Sequence, residues 1–232
     1  MRQIVFDTET TGFKPEEGHR VVEVGAVELM RGAVTGRTFH VYVNPERDMP
    51  DEAFKVHGLS TDFLKDKPLF SDPSVGPAFR EFVDNAELIA HNAQFDIRFI
   101  QWELEKAGLD RLENEVTDTL QIARRKFPGS PVSLDALCSR FGVDTAERER
   151  YGHGALLDSR LLAEVYIELT GGVQAGLNFN HSGGTEEETA AARMTLQRPS
   201  VLSITLSDAE KAAHAEFIAE MDEPLWEKYA QS

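Results

Sequence analysis

Apolar positions along the chain fall into short runs separated by turn-forming residues. Ile4-Val5-Phe6 is a run of the kind that fills a buried strand, and Gly12 marks where it turns. Arg20 to Met30 alternates and is rich in β-branched residues, which predicts a second strand. Arg37 to Val43 alternates again and predicts a third, with Gly32 and Gly36 bracketing the turn between them. Successive strands with short connections predict an antiparallel meander. Pro45 and Pro50 end regular pairing, and a short helix is expected over 51–56. Ala78, Phe79, Phe82 and Val83 recur at helical spacing over 77–83. Glu87 to Ala90 is a short apolar run, expected as a buried strand. A helix follows over 93–107, with Phe95, Phe99, Trp102 and Ala107 near one face. These aromatics are read as core, Phe95 being the one best placed to meet a substrate.

Further on, 118–126 is predicted helical and is stopped by Phe127-Pro128-Gly129. Ser133 opens another helix that runs to Phe141, with Cys138 on its core side. Asp144 to Arg150 is charged and is expected to be a solvated loop. The strongest helical pattern spans 155–169, with Leu157, Leu161, Leu162, Val165 and Leu169 on its apolar side.

Polar residues interrupt this pattern at a few places. Asp7 and Glu9 are two apart on the first strand, so their side chains share a face. Asp96 lies three and four residues before Phe99 and Ile100, at the margin of an apolar stripe. Asp158 precedes Leu161, Leu162 and Val165 by three, four and seven residues, inside the stripe that should face the core. An unpaired carboxylate there would cost several kcal/mol. His153 is five residues earlier, between Gly152 and Gly154, and is expected on the loop before the helix. Taken singly, each has a plainer reading: a solvated strand end, an aspartate in a helix's first turn, an exposed histidine. Taken together, they are carboxylates from three separate elements that converge only in the fold. Such a cluster needs divalent cations, and all-carboxylate ligation favours Mg²⁺ or Mn²⁺. A second ion beside the first would complete a two-metal clamp for phosphoryl transfer, and His153 would take the proton from attacking water.

Composition narrows the setting. The chain has 232 residues, is 41% hydrophobic and contains one cysteine, which excludes an internal disulfide. No signal peptide and no membrane-length apolar run is visible, so a soluble cytoplasmic protein is expected. A net charge of −16 argues against broad electrostatic binding to nucleic acid, though not against an enzyme that grips it through metal ions.

DTETTG at 7–12, HNAQFD at 91–96 and HGALLD at 153–158 together resemble the ordered motifs of the DEDDh family of 3′→5′ exonucleases. The match continues through EVGAVEL, VHGLS and SLDAL, covers most of 1–171, and is nearest to the proofreading subunits of bacterial replicative polymerases. The resemblance implies a ribonuclease-H-like α/β fold, a mixed five-stranded sheet flanked by helices. It implies hydrolysis of DNA from its 3′ end with release of nucleoside 5′-monophosphates. By the same resemblance Asp7, Glu9, Asp96 and Asp158 are metal ligands, His153 is the general base, and Glu52 and His57 join Asp7, Glu9 and Asp158 in touching the terminal nucleotide.

Beyond the expected exonuclease domain at 1–171, Gly171-Gly172 ends the last helix. Residues 172–199 are rich in Gly, Asn, Ser, Thr and Glu and are read as a flexible linker. Residues 200–232 combine a strand-like Val201 to Leu206, a capping box at Ser207 to Glu210, and a helix with Ala213, Phe217 and Met221 on one face. Pro224-Leu225-Trp226 follows. A tail this small cannot fold alone, and the resemblance implies that it holds the polymerase's catalytic subunit, with Trp226 as anchor. Within the linker, Gln174, Leu177 and Phe179 have the spacing of a short motif that binds the sliding clamp. Two alternatives stand beside the proofreading subunit: an RNA-trimming DEDDh exonuclease, which would lack such a tail, and a non-catalytic linker subunit, which would not need the acidic set.

Overall fold

The computed structural model describes residues 1–171 and 207–219. The chain divides into two units, Met1–Gly176 and Leu177–Ser232. In the first, β1 (Arg2–Thr10), β2 (Val21–Met30), β3 (Ala33–Tyr42), β4 (Glu87–Ala90) and β5 (Val116–Asp118) form one five-stranded sheet in the order β3-β2-β1-β4-β5. The β1–β2 and β2–β3 pairs are antiparallel, while β1–β4 and β4–β5 are parallel. The meander therefore continues into a parallel half, and the sheet is mixed, as expected.

The turn between β2 and β3 is tighter than the glycines suggest. It is Arg31-Gly32, with φ of 54° and 77°, the positive pair a two-residue hairpin favours. Gly36 lies inside β3, and its φ of 87° falls close to a shift in the β2–β3 register. A glycine within a strand thus marks a bulge here, not a turn.

Helices cover both faces. On β1, Ile4 and Phe6 point to the face covered by α3 (Gly76–Val83) and α4 (Ala93–Lys106), packing with Phe79, Phe99 and Ile100. Val5 points to the other face and packs with Leu162, Ala163 and Tyr166 of α8 (Ala155–Leu169). Asp7 and Glu9 follow Val5 in the strand's alternation and so share the α8 face. On the α4 face, Glu103 is 1% exposed and takes Nε and Nη2 of Arg20 at 2.8 Å each, tying α4 to the start of β2.

The remaining helices of this unit are α1 (Asp51–His57), α2 (Thr61–Leu64), α5 (Thr119–Lys126), α6 (Leu134–Phe141) and α7 (Ala146–Tyr151). Asp118 and Ser133 cap α5 and α6 through their side chains. Cys138 is buried on α6, and burial pushes its thiol up to about 11. One expectation fails: 144–150 is not a solvated loop. α7 occupies most of it, and Arg148 is buried. Alternating charge reads as exposed because a partner for one member of the run is invisible in sequence.

In the second unit, α9 (Asp208–Ala219) forms with the expected capping box. Ser207 N donates to Glu210 Oε2 at 2.8 Å, and Glu210 N to Ser207 Oγ at 3.3 Å. Phe217 is exposed. The expected strand at 201–206, Met221, Trp226 and the Gln174, Leu177 and Phe179 motif lie outside the described residues. Among the described residues no helix is long and apolar enough to cross a membrane.

Candidate active site

The C-terminal end of β1 is where the chain gathers its carboxylates. Asp7 and Glu9 project from the strand toward α8. Gly25, directly opposite Asp7 on β2, lets α8 come down onto the sheet. A Cβ at Gly25 would lie 2.1 Å from Leu156 N, so no other residue fits, and Ser159 Oγ reaches Gly25 O at 2.9 Å. This contact sets the first turn of α8 beside β1 and delivers Asp158, 5% exposed, to the site. Asp96 comes from the first turn of α4. Its Oδ1 accepts from Thr8 N at 3.0 Å and Thr8 Oγ1 at 2.7 Å, which pins α4 to the strand between the two acidic residues. The turn into α4 passes through Asn92 with φ of 67°, a conformation asparagine tolerates better than most residues.

Electrostatics record the convergence. Burial, then Asp96, Glu9, Asp158 and Glu23, hold the Asp7 carboxyl well above the usual range. Burial, then Glu23, Asp158 and Asp96, push Glu9 up to about 8, with Arg148 opposing. Burial pushes Asp96 up to about 7, against the Thr8 hydrogen bonds that favour its charged form. Asp158 is raised by burial, opposed by Arg148 and His153. Self-repelling carboxylates in a half-dry site are stabilised by a cation.

The residues fit one. Donor atoms of Glu9, His153 and Asp158 all lie within 4.8 Å of one another. Asp158 Oδ1 is buried with no hydrogen-bond partner, although Arg148 Nε is 2.8 Å away, because the angle is wrong for a hydrogen bond. An oxygen left in this state suits a hard divalent ion. His153 is on the loop before α8, as expected, with Nδ1 3.1 Å from Asp158 Oδ2 and 2.8 Å from Arg148 Nη2. Nδ1 can donate to the first or accept from the second, not both.

Beside the carboxylates is a cleft of about 380 Å³ lined by Glu9, Phe13, Glu52, Val56, His57 and Phe95 among others. Glu52 and His57 are both on α1. His57 is 7% exposed, and its Nε2 has no hydrogen-bond partner. Burial lowers its pKa, which favours the neutral ring. Phe99 is core, Trp102 is half-buried, and Phe95 joins the cleft wall.

Two site residues escape a reading by sequence. Glu23 faces Glu9 across the β1–β2 ladder, is 3% exposed, and takes His40 Nε2 at 2.7 Å. Its signal was present, since it is a carboxylate in the otherwise apolar start of the second strand run. Arg148 gave none.

Residues 4–166 match the family described as Exonuclease (RNase_T). The chain is 46% identical over 226 residues to the DNA polymerase III subunit epsilon of Rickettsia felis (strain ATCC VR-1525 / URRWXCal2), covering 94% of this chain and 96% of that one. It is 43% identical over 224 residues to the subunit of the same name from Escherichia coli (strain K12), covering 92% and 90%. Among solved structures, exonuclease X in complex with 5′ overhanging duplex DNA aligns with a TM-score of 0.58 at 25% identity, over 82% of this chain and 98% of that one. E. coli exonuclease I in complex with a dT13 oligonucleotide aligns with a TM-score of 0.58 at 15% identity, over 73% and 40%, a likeness of fold.

Proposed function

The chain belongs to the Exonuclease (RNase_T) family and, within it, to the DNA polymerase III epsilon subunits; on that premise we propose a residue-level mechanism for its 3′→5′ exonuclease activity. Asp7, Glu9, Asp96 and Asp158 hold two divalent cations, Mg²⁺ or Mn²⁺. The observation that carries this reading is geometric: donor atoms of Glu9, His153 and Asp158 lie within 4.8 Å of one another, and Asp96 is hydrogen-bonded to Thr8, between Asp7 and Glu9 on β1. When bound, the cations neutralise charge on the scissile phosphate and lower the pKa of a water molecule.

The chain's own residues do the rest. His153 takes a proton from the attacking water, whose oxygen forms a new bond to phosphorus. The bond between phosphorus and the 3′ oxygen of the penultimate nucleotide breaks. That oxygen leaves with a proton from solvent, so the products are a nucleoside 5′-monophosphate and a shortened strand ending in a 3′ hydroxyl. The cleft beside the carboxylates receives the terminal nucleotide. Phe95 offers a ring face to the base, and Glu52 and His57 offer polar contacts to the sugar. A cleft lined by Phe13 and Phe95 suits a frayed or single-stranded 3′ end better than a paired one. The substrate is therefore a mispaired primer terminus in DNA.

Residues 1–171 form the exonuclease domain in this proposal. Residues 172–199 are a linker whose Gln174, Leu177 and Phe179 bind the sliding clamp. Residues 200–232 hold the polymerase III catalytic (alpha) subunit through Trp226, and the protein works in the cytoplasm. Neither the RNA-trimming reading nor the non-catalytic one is favoured by any observation of the site.

The test is digestion of a primer with a mispaired 3′ end, beside a paired DNA and an RNA of equal length. Release of 5′-monophosphates in Mg²⁺ or Mn²⁺, fastest from the mispaired DNA and abolished by chelator, is the expected result. Faster digestion of RNA, or none at all, overturns the proposal.

A further inference from the structure

Arg148 is 9% exposed on α7 and makes more polar contacts than its neighbours in sequence suggest. Its Nη1 is paired with Asp135, whose side chain is 71% exposed at the start of α6. Nη2 donates to Asp158 Oδ2 at 2.9 Å and lies 2.8 Å from His153 Nδ1. Nε lies 2.8 Å from Asp158 Oδ1 without hydrogen-bonding it. One guanidinium therefore touches both oxygens of a buried carboxylate, the adjacent imidazole and a solvent-side carboxylate.

This arrangement differs from an ordinary structural ion pair. A permanent buried Arg–Asp pair satisfies both oxygens with parallel hydrogen bonds. Here Nε approaches Asp158 Oδ1 at 2.8 Å off hydrogen-bond geometry, and the same guanidinium is shared with His153 and Asp135. A second feature points outward: a cavity of about 510 Å³ lies against Arg148, lined also by Asp135, Ser139, Val143, Thr145, Glu149 and His153. The guanidinium thus has room to withdraw from Asp158 while keeping Asp135.

We propose that Arg148 is a positioning residue that guards Asp158 as an internal counter-cation, and that a divalent ion competes with it for the same carboxylate. The inference rests on Asp158 being a metal ligand. A guanidinium in contact with both Asp158 oxygens repels an ion bound to them. Loading the site therefore withdraws Arg148 from Asp158 into the cavity while it keeps Asp135. The same movement frees His153 Nδ1, which otherwise faces an obligate donor. Asp135 is the receiving partner, so it promotes loading without touching the ion.

The test is calorimetric titration of Mn²⁺ into the full chain after chelator treatment, for wild type, Arg148→Gln, Arg148→Lys and Asp135→Asn. Arg148→Gln should bind Mn²⁺ about three- to tenfold more tightly than wild type, because the competitor is gone. Asp135→Asn, a change at an exposed position, should bind it more weakly, because Asp158 is then the one carboxylate the guanidinium touches. Arg148→Lys should fall between wild type and Arg148→Gln. A merely structural Arg148 predicts the opposite sign, weaker binding in Arg148→Gln, and that result overturns the proposal, as does unchanged affinity in Asp135→Asn. If Arg148→Gln does not fold, the Asp135→Asn titration decides alone. Absence of Mn²⁺ binding by wild type would instead remove the proposed ligand set on which the inference stands.

Discussion

His153 and Asp158 are in contact, yet they are assigned different work, and substitution separates them. His153→Gln should slow hydrolysis by about 10²- to 10⁴-fold, the scale of a lost general base, with Mn²⁺ affinity nearly unchanged. Asp158→Asn should lose both rate and metal binding. Because His153 lies within reach of the same ion as Glu9 and Asp158, a His153→Gln variant that loses metal as Asp158→Asn does would reassign it as a ligand. Asp158 was legible from sequence because a carboxylate in a leucine stripe has few explanations. Arg148 was not, because its partners come from α6 and α8 and its own neighbours are all charged. Titration follows from the same residues. Glu9 is pushed from an ordinary carboxylate value up to about 8, and Asp96 up to about 7. Between roughly pH 4 and pH 8 the folded chain therefore holds more protons than the unfolded one, and stability falls as pH rises. In chelator the melting temperature should drop across this window. Saturating Mn²⁺ should raise it most at the alkaline end, where the carboxylates are charged. A melting temperature in chelator that rises through the window contradicts these shifts.

At the scale of elements, the decisive contact is α8 on β2. Gly25 has no room for a Cβ against Leu156 N and the Ala155 carbonyl carbon. Gly25→Val should cost about 1–3 kcal/mol by overpacking. It should also weaken Mn²⁺ binding, because the first turn of α8 carries Asp158. Chemical denaturation and Mn²⁺ titration on the same variant check both parts; lost stability with intact metal affinity would show that α8 positions Asp158 by other contacts. The strands were readable because their alternation is regular and one β-branched run follows another. β5 was not, since its three residues are too few to show a period, and its partners are set by the parallel β4. The hairpin was misjudged by its glycines: Gly32 makes the turn and Gly36 the bulge, and both look alike in sequence. α7 is hard to read because it is short and, over 146–150, buries Arg148 among exposed residues.

At the scale of the whole molecule, we propose that the acidic balance and the polar sequence at 172–199 set how it meets partners. Free diffusion onto DNA is disfavoured at a net charge of −16, so delivery by tethering is the expected route. Trp226→Ala should weaken capture of the polymerase catalytic subunit by about 2 kcal/mol or more, the scale of a buried aromatic anchor, and leave the nuclease rate on free DNA unaltered. Replacing Gln174, Leu177 and Phe179 together by Ala should abolish a weak clamp interaction measured by titration of clamp with the full chain. Equal binding by wild type and variant would reduce that stretch to a linker. Such an interaction is expected to be weak alone and to matter once the polymerase raises its effective concentration.

Whether carboxylates from β1, α4 and α8 hold catalytic cations is decided by Mn²⁺ titration of wild type beside Asp7→Asn, Glu9→Gln, Asp96→Asn and Asp158→Asn, with hydrolysis of a mispaired 3′ end followed on the same samples. The predicted result is two ions bound by wild type and a lost or weakened site in every variant, with hydrolysis falling alongside. Undiminished Mn²⁺ binding in all four variants, or equal hydrolysis by wild type in chelator, would contradict it.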